Sequence, residues 1–246
     1  MKKISIVLPT YNERANLEKF VKAVLSEQKN LPEYQLHIII PDSHSSDGTG
    51  NIANRLAKKY KNIHYIDVGR GLGVGLYEGH KFALNKIKPD ILMQLDADGQ
   101  VSESVIPRLV KAIEDGFDLA LGSRFVPGGK NKLPFTRRIF TYGSSFVCRI
   151  IMGPFDIREF TNSARAFTPE LFKRINWDRI PWREQTFIML PAFLNEAVIA
   201  GAKYKEVPLI FSDRPSGYSK NKVVNYTFDL ITYAVLARLR KWGVRG

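Results

Sequence analysis

The chain has 246 residues, 44% of them apolar, and 37 Lys and Arg stand against 24 Asp and Glu for a net charge of +13. That length and apolar content suffice for one large core or two closely packed lobes. A single cysteine, Cys148, excludes an internal disulfide framework and any multi-cysteine zinc site. No run reaches the roughly 18 apolar residues of a membrane-spanning helix, and Met1-Lys2-Lys3 passes straight into a strand pattern without a secretory signal. A soluble or peripheral protein is expected, in a reducing compartment. The positive charge predicts an anionic partner. Its basic residues are spread along the chain and no nucleic-acid-binding signature appears, so a phosphorylated small substrate and anionic lipid headgroups rank ahead of nucleic acid.

In the first half, β-rich runs alternate with amphipathic patterns. Strands are predicted at 3–9, 35–42, 62–67, 90–96 and 118–123, and helices over 15–27, 49–61, 74–86 and 104–115. Such alternation predicts a mainly parallel sheet with helices on both faces. Ligands in these sheets sit at the carboxyl ends of the strands, where Pro9, Tyr11, Asp42, Asp96 and Asp98 all fall. The second half is less regular. Residues 126–134 read as a loop, 185–200 as a helix and 207–211 as a strand. Stretches 135–154 and 223–242 mix apolar residues with Arg and Lys, as interfacial helices do, though core or oligomer helices share that pattern. Asn225, Asp229 and Arg238 argue against the second of these spanning a bilayer.

Asp96-Ala97-Asp98, with Gln100 two residues on, closes the apolar run 91–95. Carboxylates two apart on a strand point the same way and can converge on one cation. A hard divalent ion takes oxygen ligands and fills its remaining positions with phosphate and water, so Mg²⁺ or Mn²⁺ suits this set. Taken alone, the same residues read as a polar turn. Pro9 and Tyr11 offer a wall for a flat base and Glu13 an acceptor for its donors, although a surface tyrosine beside a helix cap at Asn12 fits as well. The glycines at 69, 71, 73 and 75 give no dinucleotide fingerprint in any frame and read as a tight strand-helix turn. His37, His44, His64 and His80 are scattered, and none stands out as a general base.

Taken in order, Ile4 to Glu13, Asp42-Ser43, Arg70, Asp96-Ala97-Asp98-x-Gln100, Gly122-Ser123-Arg124 and Asp213 to Lys220 resemble family 2 glycosyltransferases of the GT-A fold. Within that family the set looks most like the polyprenyl-phosphate (dolichyl-phosphate) mannose synthase group. The resemblance covers residues 3–220. It implies an α/β GT-A fold: a mostly parallel central sheet with helices on both faces, plus C-terminal amphipathic helices. Residues 1–125 would form the nucleotide-sugar half, 126–220 the acceptor-side half and 221–246 an amphipathic, membrane-interfacial helix.

The activity so implied is metal-dependent, inverting transfer of a hexose, mannose from GDP-mannose being favoured, to a polyprenyl or dolichyl phosphate. Alternatives are UDP-glucose as donor, a glycan or protein hydroxyl as acceptor, or a non-catalytic binding protein on this scaffold. Pro9, Tyr11, Glu13, Asp42, Arg70 and Asp96 would line the nucleotide, and Asp98 with Gln100, beside Asp96, would hold the metal. Asp98 and Arg124 would be catalytic; Arg124, Arg137, Arg214 and Lys220 would bind phosphate, with Arg138 as open as Arg137. Thr161 and Arg165 would border the acceptor. The family's second acid after Asp42 is Ser43 here, and its Ser-Gly-Phe centre is Asn162-Ser163-Ala164. Expected partners are the nucleotide sugar, the lipid phosphate, an anionic membrane surface and a membrane-anchoring subunit, with no nucleic acid. The expected location is the cytoplasmic face of a membrane.

Overall fold

The computed structural model describes residues 1–153, 156–183, 188–214 and 223–241, the side chains of 140, 223–228 and 239–241 excepted. In chain order the strands are β1 (Lys2–Val7), β2 (Tyr34–Asp42), β3 (Ile63–Asp67), β4 (Ile91–Gln94), β5 (Leu119–Ser123), β6 (Lys130–Asn131), β7 (Arg165–Phe167), β8 (Tyr204–Pro208) and β9 (Ile210–Phe211). Seven of them form one sheet in the order β3-β2-β1-β4-β7-β5-β8, while β6 and β9 pair separately. The helices are α1 (Leu17–Ser26), α2 (Thr49–Lys59), α3 (Leu72–Phe82), α4 (Ile106–Glu114), α5 (Phe135–Met152), α6 (Pro169–Arg174), α7 (Met189–Ile199) and α8 (Val223–Lys241).

The strands are apolar on both sides because both sides are covered. Leu36, Ile38 and Ile40 of β2 join the core under α1, α2 and α4, whereas Ile39 joins the opposite core with α3, α6, α7 and α8. Each fully buried Ile or Leu of this kind contributes roughly 1.5–3 kcal/mol. The helices follow their local signals. Thr168 caps α6 by accepting the Leu171 N–H at 3.1 Å, and α4 buries Ile106, Leu109, Val110 and Ala112 on one stripe. Helix α5 packs against α8. Among the described residues no helix is long and apolar enough to cross a membrane.

From β1 the chain builds outward through β2 to β3, then crosses back to β4 on the other side of β1. All these pairings are parallel. The reversal of strand order opens a crevice outside the carboxyl ends of β1 and β4, where such sheets bind ligands.

Three elements depart from the sequence reading. Strand β7 lies antiparallel between β4 and β5, pairing Arg165 with both Gln94 and Leu121. Three residues are too short for a period-two signal to register. The stretch read as a loop at 126–134 contains β6, which is held by β9. The strand read at 207–211 divides in two: β8 ends at Pro208 and β9 starts at Ile210, with Leu209 N–H donating to Ser123 O at 3.1 Å.

Candidate active site

At the end of β2, Asp42 is 2% exposed and accepts hydrogen bonds from Thr10 Oγ1 at 3.0 Å and from the Ser45 N–H at 3.0 Å. Thr10 N–H donates to Pro41 O and Ser43 N–H to Thr10 O, so the ends of β1 and β2 are laced together. Tyr11, at the rim, has the Arg70 guanidinium 5.5 Å from its ring centroid. Pro9 backs onto the start of α3, close to Gly75. His44 faces Asp67 at 3.0 Å, both exposed. Asp47 is held below the usual carboxylate range: burial pushes it up, but hydrogen bonds from Thr49 and the Arg14 and Thr49 backbone outweigh that. These contacts fix the loop 43–49 beside the crevice.

Beyond β4 the acids converge. Asp98 is 4% exposed, and its Oδ1 accepts the Gln100 N–H at 3.0 Å. Its Oδ2 meets Arg214 Nη2 at 2.8 Å. The same guanidinium reaches Glu13 Oε1 at 3.6 Å and donates from Nε to Gln100 Oε1 at 3.4 Å. Four residues from three distant stretches of chain thus close on one point. Asp96 joins them from the strand end. Burial pushes its carboxyl up to about 7, the neighbouring Asp98 charge adds to the rise, and Ser163 and Arg214 pull against it. Glu13 and Asp98, with Asp96 beside them held partly protonated near neutral pH, thus gather around one guanidinium.

Arg214 is carried by a strap that leaves β9. Ser212 N–H donates to Gln100 O at 2.8 Å and Gln100 Nε2 returns a bond to Ser212 O at 3.3 Å. Asp213 on this strap accepts from Arg137 Nη1 at 2.8 Å. Arg137 therefore stands at the crevice, whereas Arg138 lies over the Phe135 ring at 5.7 Å.

Three expected site residues are used differently. The Arg124 fork grips Glu159 through Nε at 2.7 Å and Nη2 at 3.3 Å, with both side chains nearly fully buried, and the Phe211 ring lies 4.0 Å away. Thr161 donates its hydroxyl to the same Glu159 at 3.1 Å. Arg165 is 1% exposed and donates to Leu190 O at 2.6 Å and Phe160 O at 2.9 Å, contacts that brace the scaffold. Lys220 lies outside the described residues. Sequence reasoning passed over Glu159 as a partner for Arg124, since the two are separated by 35 positions and only folding pairs them.

Comparison with known proteins identifies the family and the fold. A family model, glycosyl transferase family 2, matches residues 5–176. The polyprenol monophosphomannose synthase of Mycolicibacterium smegmatis is 30% identical over 98% of this chain and 87% of its own length. The dolichol-phosphate mannosyltransferase of Pyrococcus furiosus is 32% identical over 98% of this chain, which spans 64% of that protein. Among solved structures, a mannosyltransferase from Pyrobaculum calidifontis in complex with GDP-Man and Mn²⁺ superposes with a TM-score of 0.56, at 15% identity, over 99% of this chain and 76% of that one. The fold is GT-A, and the chain belongs to glycosyl transferase family 2 as a glycosyltransferase.

Proposed function

We propose that this glycosyltransferase moves mannose from GDP-mannose to the phosphate of a polyprenyl or dolichyl lipid, with inversion at the anomeric carbon. The observation that carries this reading is the meeting of Glu13, Asp98, Gln100 and Arg214 within 3.6 Å at the sheet's reversal point, with Asp96 beside them. That cluster suits a nucleoside diphosphate and its counter-ion, and the named relatives use mannose and a lipid phosphate.

The residues fit Mg²⁺ or Mn²⁺. Asp96, Asp98 and Gln100 offer oxygen donors only, and among the described residues no three His, Cys, Asp or Glu side chains form a complete cage. An ion with few protein ligands completes its shell with phosphate and water. When bound, it would neutralise charge on the departing diphosphate.

An oxygen of the lipid phosphate attacks the anomeric carbon while the bond from that carbon to the diphosphate oxygen breaks. Ionised phosphate needs no general base, only alignment and charge screening. Arg214 and Arg137, with Lys220, supply fixed positive charge; an arginine fork suits phosphate oxygens. Arg124 acts as a positioning residue, tying the 159–161 segment to β5 through Glu159.

The lipid is reached through α5. Phe135, Ile139, Tyr142, Phe146 and Ile150 recur on one face, each at least 50% exposed. Arg138 and Arg149 flank them. Such a face lies in a membrane interface and is attracted by anionic headgroups.

Incubation with radiolabelled GDP-mannose, polyprenyl phosphate and Mn²⁺, followed by solvent extraction, tests the whole reading. Label should enter the lipid phase. Label that stays aqueous, or enters only from UDP-glucose, would overturn it.

A further inference from the structure

The inference rests on the transferase reading and concerns which part of the donor the crevice reads. Strand β7 runs against its neighbours, so its beginning lies at the edge where β4 and β5 end. Gly122 N–H donates to Ala164 O at 2.8 Å, which carries the pairing one residue beyond β7 toward that edge. Continuing the register from Gln94 opposite Arg165 sets Ala164 against Leu95 and Ser163 against Asp96. Asn162 and Ser163 thus enter between the strand end that carries Asp96 and Asp98 and the strand end that carries Ser123 and Arg124.

Both side chains are buried, Asn162 at 3% and Ser163 at 1% exposure. Asn162 Oδ1 is occupied by the Ala164 N–H at 2.9 Å, while its Nδ2 has no hydrogen-bond partner among the described residues. Ser163 Oγ completes no well-formed hydrogen bond either, although the hydroxyl is close enough to Asp96 to favour that carboxyl's charged form. Buried donors without partners are rare in native structures and call for an explanation. Here one such donor, Asn162 Nδ2, adjoins a serine whose hydroxyl reaches the Asp96 carboxyl.

We propose that Asn162 Nδ2 and Ser163 Oγ read the hydroxyls of the transferred sugar and determine which hexose the enzyme accepts. Neutral amide and hydroxyl donors match sugar hydroxyls, whereas phosphate is the partner of guanidinium. A sugar hydroxyl both donates and accepts; Asp96 beside Ser163 presents an acceptor next to a donor, the complement of one such group. The position agrees, because the sugar hangs from the diphosphate that Asp98, Gln100 and Arg214 would hold, and Ser163 reaches Asp96 in that same cluster.

The test compares wild type, Ser163→Ala and Asn162→Ser, the latter retaining a side-chain oxygen for the Ala164 N–H. Calorimetric titrations with Mn²⁺ measure affinity for GDP, GDP-mannose and GDP-glucose, and melting curves check the fold. Wild type should separate the two epimers. Each variant should hold GDP as wild type does while losing roughly ten- to a hundredfold of that separation. Separation that survives both substitutions overturns the sugar-reading role alone. So does a parallel loss of GDP affinity, or a raised KM for lipid phosphate with sugar choice intact. Wild-type protein that distinguishes no nucleotide sugar from its nucleoside diphosphate takes this inference and the transferase reading down together.

Discussion

Asp96 shows how a single side chain ties stability to the site. Its carboxyl is raised to about 7, first by burial and then by Asp98. Between the ordinary carboxylate value and about 7 the folded protein holds a proton there that the unfolded chain has released. The charged form therefore costs stability, and that cost grows as pH rises through the window. Asp96→Asn removes it. We expect the variant to melt at nearly the wild-type temperature at pH 4.5 and above it at pH 8, both without divalent metal. The gain should be on the order of 1–2 kcal/mol, less than the full pKa difference because solvent reaches the crevice side of the group. An equal difference at both pH values would show that Asp96 does not carry the strain. The pair Asp96 and Asp98 was readable from two acids ending an apolar run. Their company was not: Arg214 lies over a hundred positions away, and Ser163 reaches Asp96 only through an antiparallel strand.

At the scale of elements, α3 is seated by an absence of side chain. A Cβ on Gly73 would stand 2.4 Å from Trp182 O and 2.6 Å from Trp182 Cα, both backbone atoms that cannot swing aside. The Trp182 ring then stacks on Tyr77, one turn later in α3, with centroids 4.0 Å apart. Gly73→Ala should cost about 1–3 kcal/mol by overpacking. Gly143→Ala in α5, where a Cβ meets nothing within 4 Å, should instead gain up to about 1 kcal/mol from helix propensity. Urea denaturation of both variants checks the contrast; equal shifts would deny the tight approach. Of the glycines read as a strand-helix turn, Gly69 and Gly71 lie in it, whereas Gly73 and Gly75 already belong to α3. Which glycine bears the packing was hidden, because the opposing backbone arrives from residue 182.

Across the whole molecule, the net charge of +13 and the exposed apolar face of α5 together predict binding to an anionic membrane surface. Sedimentation with vesicles containing anionic phospholipid should pull the protein down, and raised salt should weaken that binding as exposed charges are screened. Ile139→Ser and Phe146→Ser should each reduce the partition several-fold, given roughly 1.5–3 kcal/mol for fully burying such a side chain. Binding that ignores both substitutions and salt would remove α5 as the contact. A cavity of about 580 Å³ lies against this helix, lined in part by Phe125, Tyr142, Phe146 and Arg158, so the face is not a flat ridge.

The amino-acid sequence alone determined the strand-helix alternation, the parallel sheet and the acids at its carboxyl edge. Those follow from periodicity and from turn chemistry, which act over a few residues. Only the tertiary structure decided that Arg124 belongs to Glu159, that Arg165 braces carbonyls, and that Ser163 reaches Asp96. Each depends on β7 slotting between β4 and β5, a pairing of strands separated by more than forty residues. Local propensity is silent about such a match, because its stabilisation exists only once the sheet has closed around it.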